Sequence, residues 1–171
     1  MTALLPVALA FAIGVGGALQ VAMLGALERQ RAPLEAAWIS GAGTVLALAL
    51  ILGVRGLRGD GPDLPAPLDR PWPFLLVAAP LAMSLIASAR GVPPHLLLSG
   101  LLGGMFITGA AFLAPRIGVA LLFSAFTAGT LSGGLVLDHI GAFGASAERA
   151  TVMRLLGLLI VFVGVLIVRS R

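Results

Sequence analysis

Five long apolar stretches constrain this chain more than any other feature of its sequence. They cover residues 3–27, 34–54, 95–114, 118–137 and 151–168, and none has a charged residue near its middle. A helix needs about 20 apolar residues to cross the hydrocarbon core of a bilayer. Within that core the backbone polar groups must be satisfied internally, which a helix does. The sequence therefore predicts an all-α, polytopic membrane helix bundle with five core transmembrane helices in contact with the lipid bilayer.

A sixth apolar run, residues 73–89, is shorter and contains Pro80. Its length lies at the lower limit for crossing a membrane. Crossing, re-entry and an interfacial position therefore all stay open for this run. The polar stretch before it, with Gly and Pro around residues 59–67, predicts an exposed loop. No stretch is long enough for a soluble domain, so we expect residues 1–171 to form a single transmembrane domain.

Composition agrees with a membrane protein and argues against a nucleic-acid binder. Apolar residues make up 59% of the chain and charged residues 11%, whereas a soluble domain carries about 25% charged residues. Lysine is absent, and the arginines are scattered at the ends of the apolar runs. A nucleic-acid interface would gather its cations on one face. We therefore expect no nucleic-acid partner.

The arginines also bear on orientation, because cytoplasmic loops normally carry an excess of positive charge. Whether five or six helices span, six arginines fall on one side and five on the other. One interpretation is that so few arginines simply do not report topology. The other is dual topology, in which the chain inserts both ways or pairs with an oppositely oriented partner. Such a pair would build an inverted repeat from two chains.

Polar side chains inside the apolar runs are the candidate substrate-binding residues, since such groups tend to face the bundle interior. Gln20 offers one acceptor and two donors, although it could equally bond a neighbouring helix. Ser124, Thr127 and Thr130 recur at helical spacing on one face. The candidate set comprises Gln20, Thr44, Thr108, Ser124, Thr127 and Thr130.

Small residues recur along the same helices and predict close helix packing. Gly129 and Gly133 form a GxxxG pattern, which is primarily a packing device. Glycines one turn before Gln20 would let another backbone approach closely. The expected packing positions are Gly16, Gly17, Gly100, Gly104, Gly129 and Gly133.

Several chemistries have no residues to support them. The mid-membrane carboxylate typical of a proton-coupled exporter of organic cations is missing from every core run. His95 and His139 lie at helix ends without the converging donors that a metal site needs. No nucleophile–base or acid pair is visible. We therefore expect no enzyme activity, no metal and no cofactor.

Several short runs recur in an order that is typical of one family. They are Gly100-Leu-Leu-Gly-Gly-Met-Phe, Leu113-Ala-Pro-Arg-Ile-Gly, Leu137-Asp-His-Ile-Gly-Ala-Phe-Gly and Arg154-Leu-Leu-Gly. Near the start, Gly17-Ala-Leu-Gln20 and Ser40-Gly-Ala-Gly43-Thr44 fit the same order. Together they resemble the YdcZ-like family of the drug/metabolite transporter superfamily, which is related to the EamA transporters. The resemblance covers most of the chain apart from about residues 55–94.

This resemblance implies five transmembrane helices, equivalent to half of a ten-helix transporter in the bacterial inner membrane. Such a subunit would pair, often antiparallel, with itself or a sister chain, with the small-molecule site between the chains. Two positions depart from the family pattern: Leu24 stands where Asn is common, and Gly129-Thr130 where Gly-Gln is common. The segment 73–89 looks like an insertion. A non-transporting structural, assembly or lipid-binding membrane subunit is the alternative function, and no particular metabolite or drug is indicated as substrate.

Overall fold

The structure, a computed structural model, describes residues 4–170. Within this range all regular structure is helical and no strand occurs, so the predicted all-α class is confirmed. Residue 3, the expected start of the first span, and Arg171, one of the counted arginines, lie outside the described residues. The helices are α1 (Leu4–Glu28), α2 (Pro33–Leu57), α3 (Trp72–Ser88), α4 (Ser99–Ile117), α5 (Val119–Ile140) and α6 (Val152–Arg169).

Each of the five predicted spans falls on a long apolar helix. A 3-10 helix, Pro94–Leu98, runs directly into α4, so Pro94–Ile117 is one continuous span. With α1, α2, α5 and α6 it makes five helices in the described chain that are long and apolar enough to cross a membrane. The structure carries α2 and α5 through Arg55 and Asp138, beyond their predicted ends. A charge at the membrane surface does not end a helix, so apolar runs underestimate helix length.

The chain divides into two compact units, which are described separately. The terminal unit contains the residues up to Ala26 and those from Met105 onward, and the central unit contains Leu27–Gly104. A cluster of buried side chains forms the core of the terminal unit. It joins α1 to α4, α5 and α6 through Ala10, Leu113, Leu122, Ala125, Ala128 and Val165.

In the central unit α3 lies antiparallel to α2. At one end a Cβ atom added to Gly56 would lie 2.9 Å from Cβ of Pro71. At the other end Ile39 and Ser88 line the same hollow. Both helices advance 17 residues between these contacts, about 26 Å at 1.5 Å per residue. This distance approaches the roughly 30 Å of the hydrocarbon core, so α3 accompanies α2 along nearly a full membrane width.

Glycines with positive φ lie at the turns of two of the sequence runs that carry the family resemblance. Gly118 has φ +79° and separates α4 from α5. Gly141 has φ +61° and ends α5 in the left-handed conformation. Residues other than glycine rarely adopt positive φ angles. The runs around Pro115 and Asp138 therefore specify where one helix stops and the next segment begins.

We predict that α3 crosses the membrane. Because the chain has no cysteine, single cysteines at Arg70 and Arg90 can be labelled with a membrane-impermeant maleimide in intact cells. Three arginines added to the 59–63 loop would bias insertion toward one orientation. Residues 70 and 90 should then react from opposite faces, and residue 29, near the start of α2, should react from the same face as residue 90. Equal labelling of 70 and 90 from one face would contradict the prediction.

Candidate functional site

The backbones of α1 and α5 touch at two glycines in the terminal unit. A Cβ atom added to Gly129 would lie 2.0 Å from the Phe11 carbonyl oxygen, and one added to Gly14 would lie 2.1 Å from that of Phe126. Neither position has room for a methyl group. Membrane helices associate through such small-residue contacts because lipid supplies no hydrophobic force between them. These glycines therefore fix how α1 and α5 cross.

Thr130 adds a hydrogen bond to this crossing. Its hydroxyl oxygen lies 3.0 Å from the Gly14 carbonyl oxygen and 3.0 Å from that of Phe126. The single hydroxyl proton is donated within its own helix or across to α1. An interhelical hydrogen bond in a membrane contributes about 0.6–2 kcal/mol. Thr130 consequently has a packing role, in addition to any contact with a substrate.

In the central unit, a glycine followed by a threonine makes the same two kinds of helix contact. Thr44 donates from its hydroxyl to the Gly100 carbonyl oxygen at 2.8 Å or to that of Ser40 at 3.1 Å. A Cβ atom added to Gly100 would lie 2.6 Å from Cα of Gly43, the residue before Thr44. In each unit a Gly-Thr dipeptide thus admits a neighbouring helix and then bonds to a glycine carbonyl of that helix. We call Gly43-Thr44 and Gly129-Thr130 the Gly–Thr pairs.

The remaining predicted packing glycines differ in how closely they are approached. Cβ atoms added to Gly17 and Gly133 would lie 3.1 Å from the Phe126 ring and 3.0 Å from Cβ of Ala18. Gly104 has only ordinary contacts, at 3.9 Å or more. Gly16 is half-buried. Gly14 and Gly43 were not among the predicted packing positions. Gly43 could have been found as the glycine of a Gly-Thr dipeptide, whereas Gly14 is recognised only from its contact with α5.

The predicted substrate-binding residues do not converge on one site. Thr44 belongs to the central unit, whereas the other five belong to the terminal unit. Ser124 and Thr127 line a hollow of about 410 Å³ beside α6. Gln20 is half-buried on α1, and Thr108 donates to the Met105 carbonyl oxygen at 3.3 Å. Thr130 alone of the six faces the larger groove described next.

A groove of about 610 Å³ lies between α1, α5 and α6 in the terminal unit. Its walls are mainly apolar, with one hydroxyl from Thr130. Gly134 of α5 and Gly157 of α6 line it, and a Cβ atom added to either would meet nothing within 4 Å. Small residues therefore keep the groove open. The lining residues are Ala18, Val21, Ala22, Thr130, Leu131, Gly134, Leu135, Leu137, Asp138, Arg154, Gly157 and Leu158.

An ionic cluster lies at one end of this groove. The Arg154 guanidinium donates a hydrogen bond to the Glu148 carboxylate and lies 3.7 Å from the Asp138 carboxylate. The Glu148 backbone N–H also donates to the Asp138 carbonyl oxygen at 2.9 Å. These side chains are 42–57% exposed, and exposed ion pairs contribute only about 0–1 kcal/mol each. Their main effect is to place both signs of charge at the groove end.

The sequence prediction did not include Asp138 or Arg154 in the site. The signal that could have found them is their opposite charge on either side of one short loop. With both in place, the groove can accept an elongated apolar molecule whose polar group reaches the charged end.

The five helices that are long and apolar enough to cross a membrane define a polytopic membrane protein. The sequence model of a family described as "Putative inner membrane exporter, YdcZ" matches residues 72–167, more than half of the chain. The chain belongs to this family of inner-membrane exporters, which confirms the predicted family and membrane. No curated protein and no solved structure matches the chain.

The matched range differs from the expected one at both ends. It includes residues 72–94, which were expected to lie outside the resemblance, and it leaves out α1 and α2, which were expected inside. The expectation for residues 72–94 was therefore wrong, including the interpretation of 73–89 as an insertion, whereas the resemblance of α1 and α2 stays a prediction. The match does contain the α5 and α6 walls of the groove with Asp138 and Arg154.

Gly129→Ala should destabilise the terminal unit, whereas Gly134→Ala, on the same helix, should not. The new methyl group at residue 129 would meet the Phe11 carbonyl, and such overpacking costs about 1–3 kcal/mol. The methyl group at residue 134 would meet open space. Thermal unfolding of both variants in detergent micelles measures the difference. Equal midpoints would show that the two helices do not touch at Gly129.

Proposed function

We propose that this exporter is a half-size subunit in which two chains, antiparallel to each other, together enclose the route of a small metabolite or drug. The groove carries the proposal: its charged end and its α5 and α6 walls lie within the matched residues. The groove is partly open rather than enclosed. A second copy or a sister chain would be needed to close it.

The arginine balance supports an antiparallel pair. With six arginines on one membrane face and five on the other, positive charge favours neither orientation of the chain. Two oppositely oriented copies would form the inverted repeat on which many transporters are built. A single chain of 171 residues would then be half of the working transporter.

In this mechanism one bundle rocks against the other to expose the groove to each side in turn. Rocking requires that each bundle hold its shape while the contact between bundles changes. The α1–α5 crossing, with its glycine contacts and the Thr130 hydroxyl bond, would keep the groove walls together during this motion. Gln20 and Thr108 stay proposed contacts along the route, as does Thr44 in the central unit. Ser124 and Thr127 stay proposed contacts for a route through the hollow beside α6, which is tested separately below.

Filling the groove should block export without unfolding the protein. Gly134→Leu and Gly157→Leu project side chains into open space, so the free energy of unfolding should change by no more than about 0.5 kcal/mol. The exported compound is first identified by comparing the media of producing and non-producing cells. Its flux from proteoliposomes should then fall at least roughly tenfold, equivalent to about 1.4 kcal/mol.

Gly164→Leu provides the matched control for these variants. It fills the neighbouring hollow, which Ser124 and Thr127 line, and its Cβ also meets open space. Flux should survive this change. Loss of flux in Gly164→Leu alone would transfer the route to that hollow and refute the proposed groove.

Two differently tagged single-cysteine chains would test the antiparallel pair. Arg29 lies before α2 and Pro62 after it, so the two positions flank one span. In an antiparallel pair, position 29 of one chain and position 62 of the other share a membrane face. A flexible crosslinker should then join Arg29→Cys chains to Pro62→Cys chains. Crosslinks only between identical positions would indicate a parallel pair.

One observation favours the alternative, a structural or lipid-binding subunit without transport. Two of the six predicted substrate groups, Thr44 and Thr130, have their hydroxyls committed to helix contacts. Under this alternative no compound would depend on the protein for release. Groove-filling variants would then change only stability or assembly with a partner.

A further inference from the structure

A second hollow, of about 450 Å³, lies in the central unit between the start of α2 and the end of α3. Its walls carry both signs of charge, as those of the groove do. In addition, they include an aromatic ring, which the groove lacks. It is lined by Arg31, Leu34, Glu35, Trp38, Ile39, Ala87 and Ser88. Nothing in the export proposal uses this hollow.

Its depth along α2 corresponds to the surface of the hydrocarbon core. The 25 residues of α2 extend about 37 Å, so each end projects a few ångströms beyond a core of about 30 Å. Trp38 is five residues into the helix, about 7.5 Å from its start. Trp rings favour this boundary, and Trp38 is 55% exposed. Arg31 and Glu35 are therefore at the level of the lipid headgroups.

Arg31 is held at the hollow by a long-range contact. Its Nη2 donates to the Arg90 carbonyl oxygen at 2.6 Å. A guanidinium has five N–H donors in a fork that matches a phosphate, so one such bond leaves donors for a ligand. The anchoring carbonyl also lowers the mobility of the side chain. Arg31 is thereby positioned to receive an anionic group.

Glu35 supplies the opposite charge on the same wall. It lies in the first turn of α2, four residues after Arg31, and is exposed. Trp38 lies three residues further along the helix, on the same side as Glu35. A carboxylate accepts hydrogen bonds from an ammonium group, and an indole face attracts a cation. One end of the hollow thus suits an anion and the other suits a cation.

We propose that this hollow binds the headgroup of a zwitterionic phospholipid. The phosphate would bind Arg31, and the ammonium would lie between Glu35 and the Trp38 indole. The acyl chains would follow the exposed apolar side chains, of which Leu34 is 85% exposed. An anionic lipid lacks the ammonium and would bring negative charge toward Glu35. The hollow therefore discriminates between the two lipid classes by charge complementarity, independently of export.

The chain contains a built-in reporter for this proposal. Its two tryptophans are Trp38 and Trp72, so Trp72→Phe leaves Trp38 as the sole indole. This variant is reconstituted in bilayers that mix phosphatidylethanolamine and phosphatidylglycerol, with bromine on the acyl chains of one lipid at a time. Quenching of Trp38 fluorescence then gives the relative affinity of the two lipids at the hollow. We expect a preference for phosphatidylethanolamine of about three- to fivefold, the effect of one exposed ion pair.

Matched variants separate a site from a general interface effect. Glu35→Gln in the Trp72→Phe background should bring the preference close to one. Arg31→Gln removes the phosphate contact that both lipids share, so it should weaken the quenching by both lipids at Trp38. Arg29→Gln and Glu28→Gln change the same charges just outside the hollow and should leave the preference in place. In the reciprocal protein, Trp38→Phe, the remaining Trp72 at the other end of the helix pair should report no preference.

Three results would overturn the proposal. They are equal quenching by both lipids at Trp38, a preference for phosphatidylglycerol, and a preference that survives Glu35→Gln. Added glycerophosphoethanolamine, the headgroup without acyl chains, should not displace the brominated lipid. Displacement would assign the hollow to a soluble compound rather than to a phospholipid. Because the readout is fluorescence, failure of export leaves this test intact, and the reverse also holds.

Discussion

The need to pair every backbone N–H and C=O within hydrocarbon governs this structure. Helices meet that need within themselves, which leaves no hydrophobic force to hold them together. The chain solves the second problem with close backbone contact and hydroxyl bonds. In the terminal unit Gly14 meets the Phe126 carbonyl and Gly129 meets the Phe11 carbonyl. In the central unit Gly43 meets Gly100. The groove and the hollow both depend on helices held by such contacts.

The Gly–Thr pairs explain why hydroxyl residues in these helices are ambiguous as site markers. Thr130 bonds the α1 backbone and also lines the groove, whereas Thr44 bonds the Gly100 carbonyl. A substrate that competed for either hydroxyl would also loosen a helix crossing. The groove instead offers charge at its end, where Asp138 and Arg154 lie outside these crossings. Under the proposed function, packing would thus depend on Thr130, and recognition of the substrate on Asp138 of the same helix and Arg154 of α6.

The sequence predicted the parts of the fold that depend on local patterns. Apolar length located the five long helices, and glycine and proline located the loop after α2. The helix ends were less well predicted, because Arg55 and Asp138 continue their helices into the interface. Which glycine meets which helix depends on tertiary contact, so Gly14 and Gly43 were not predicted. The joining of Asp138, Glu148 and Arg154 depends on the fold of a loop, which composition does not encode.

The predicted crossing of α3 alongside α2 would give the described helices six membrane passages, an even number. With α3 crossing, an even number of passages returns the last helix to the face on which the first begins. A second copy fused directly behind the first would then start from the same face and take the same orientation. If α3 crosses, an inverted pair of these six helices within one fused chain would need an added passage between the copies. Two freely inserted polypeptides are the shortest way to make it.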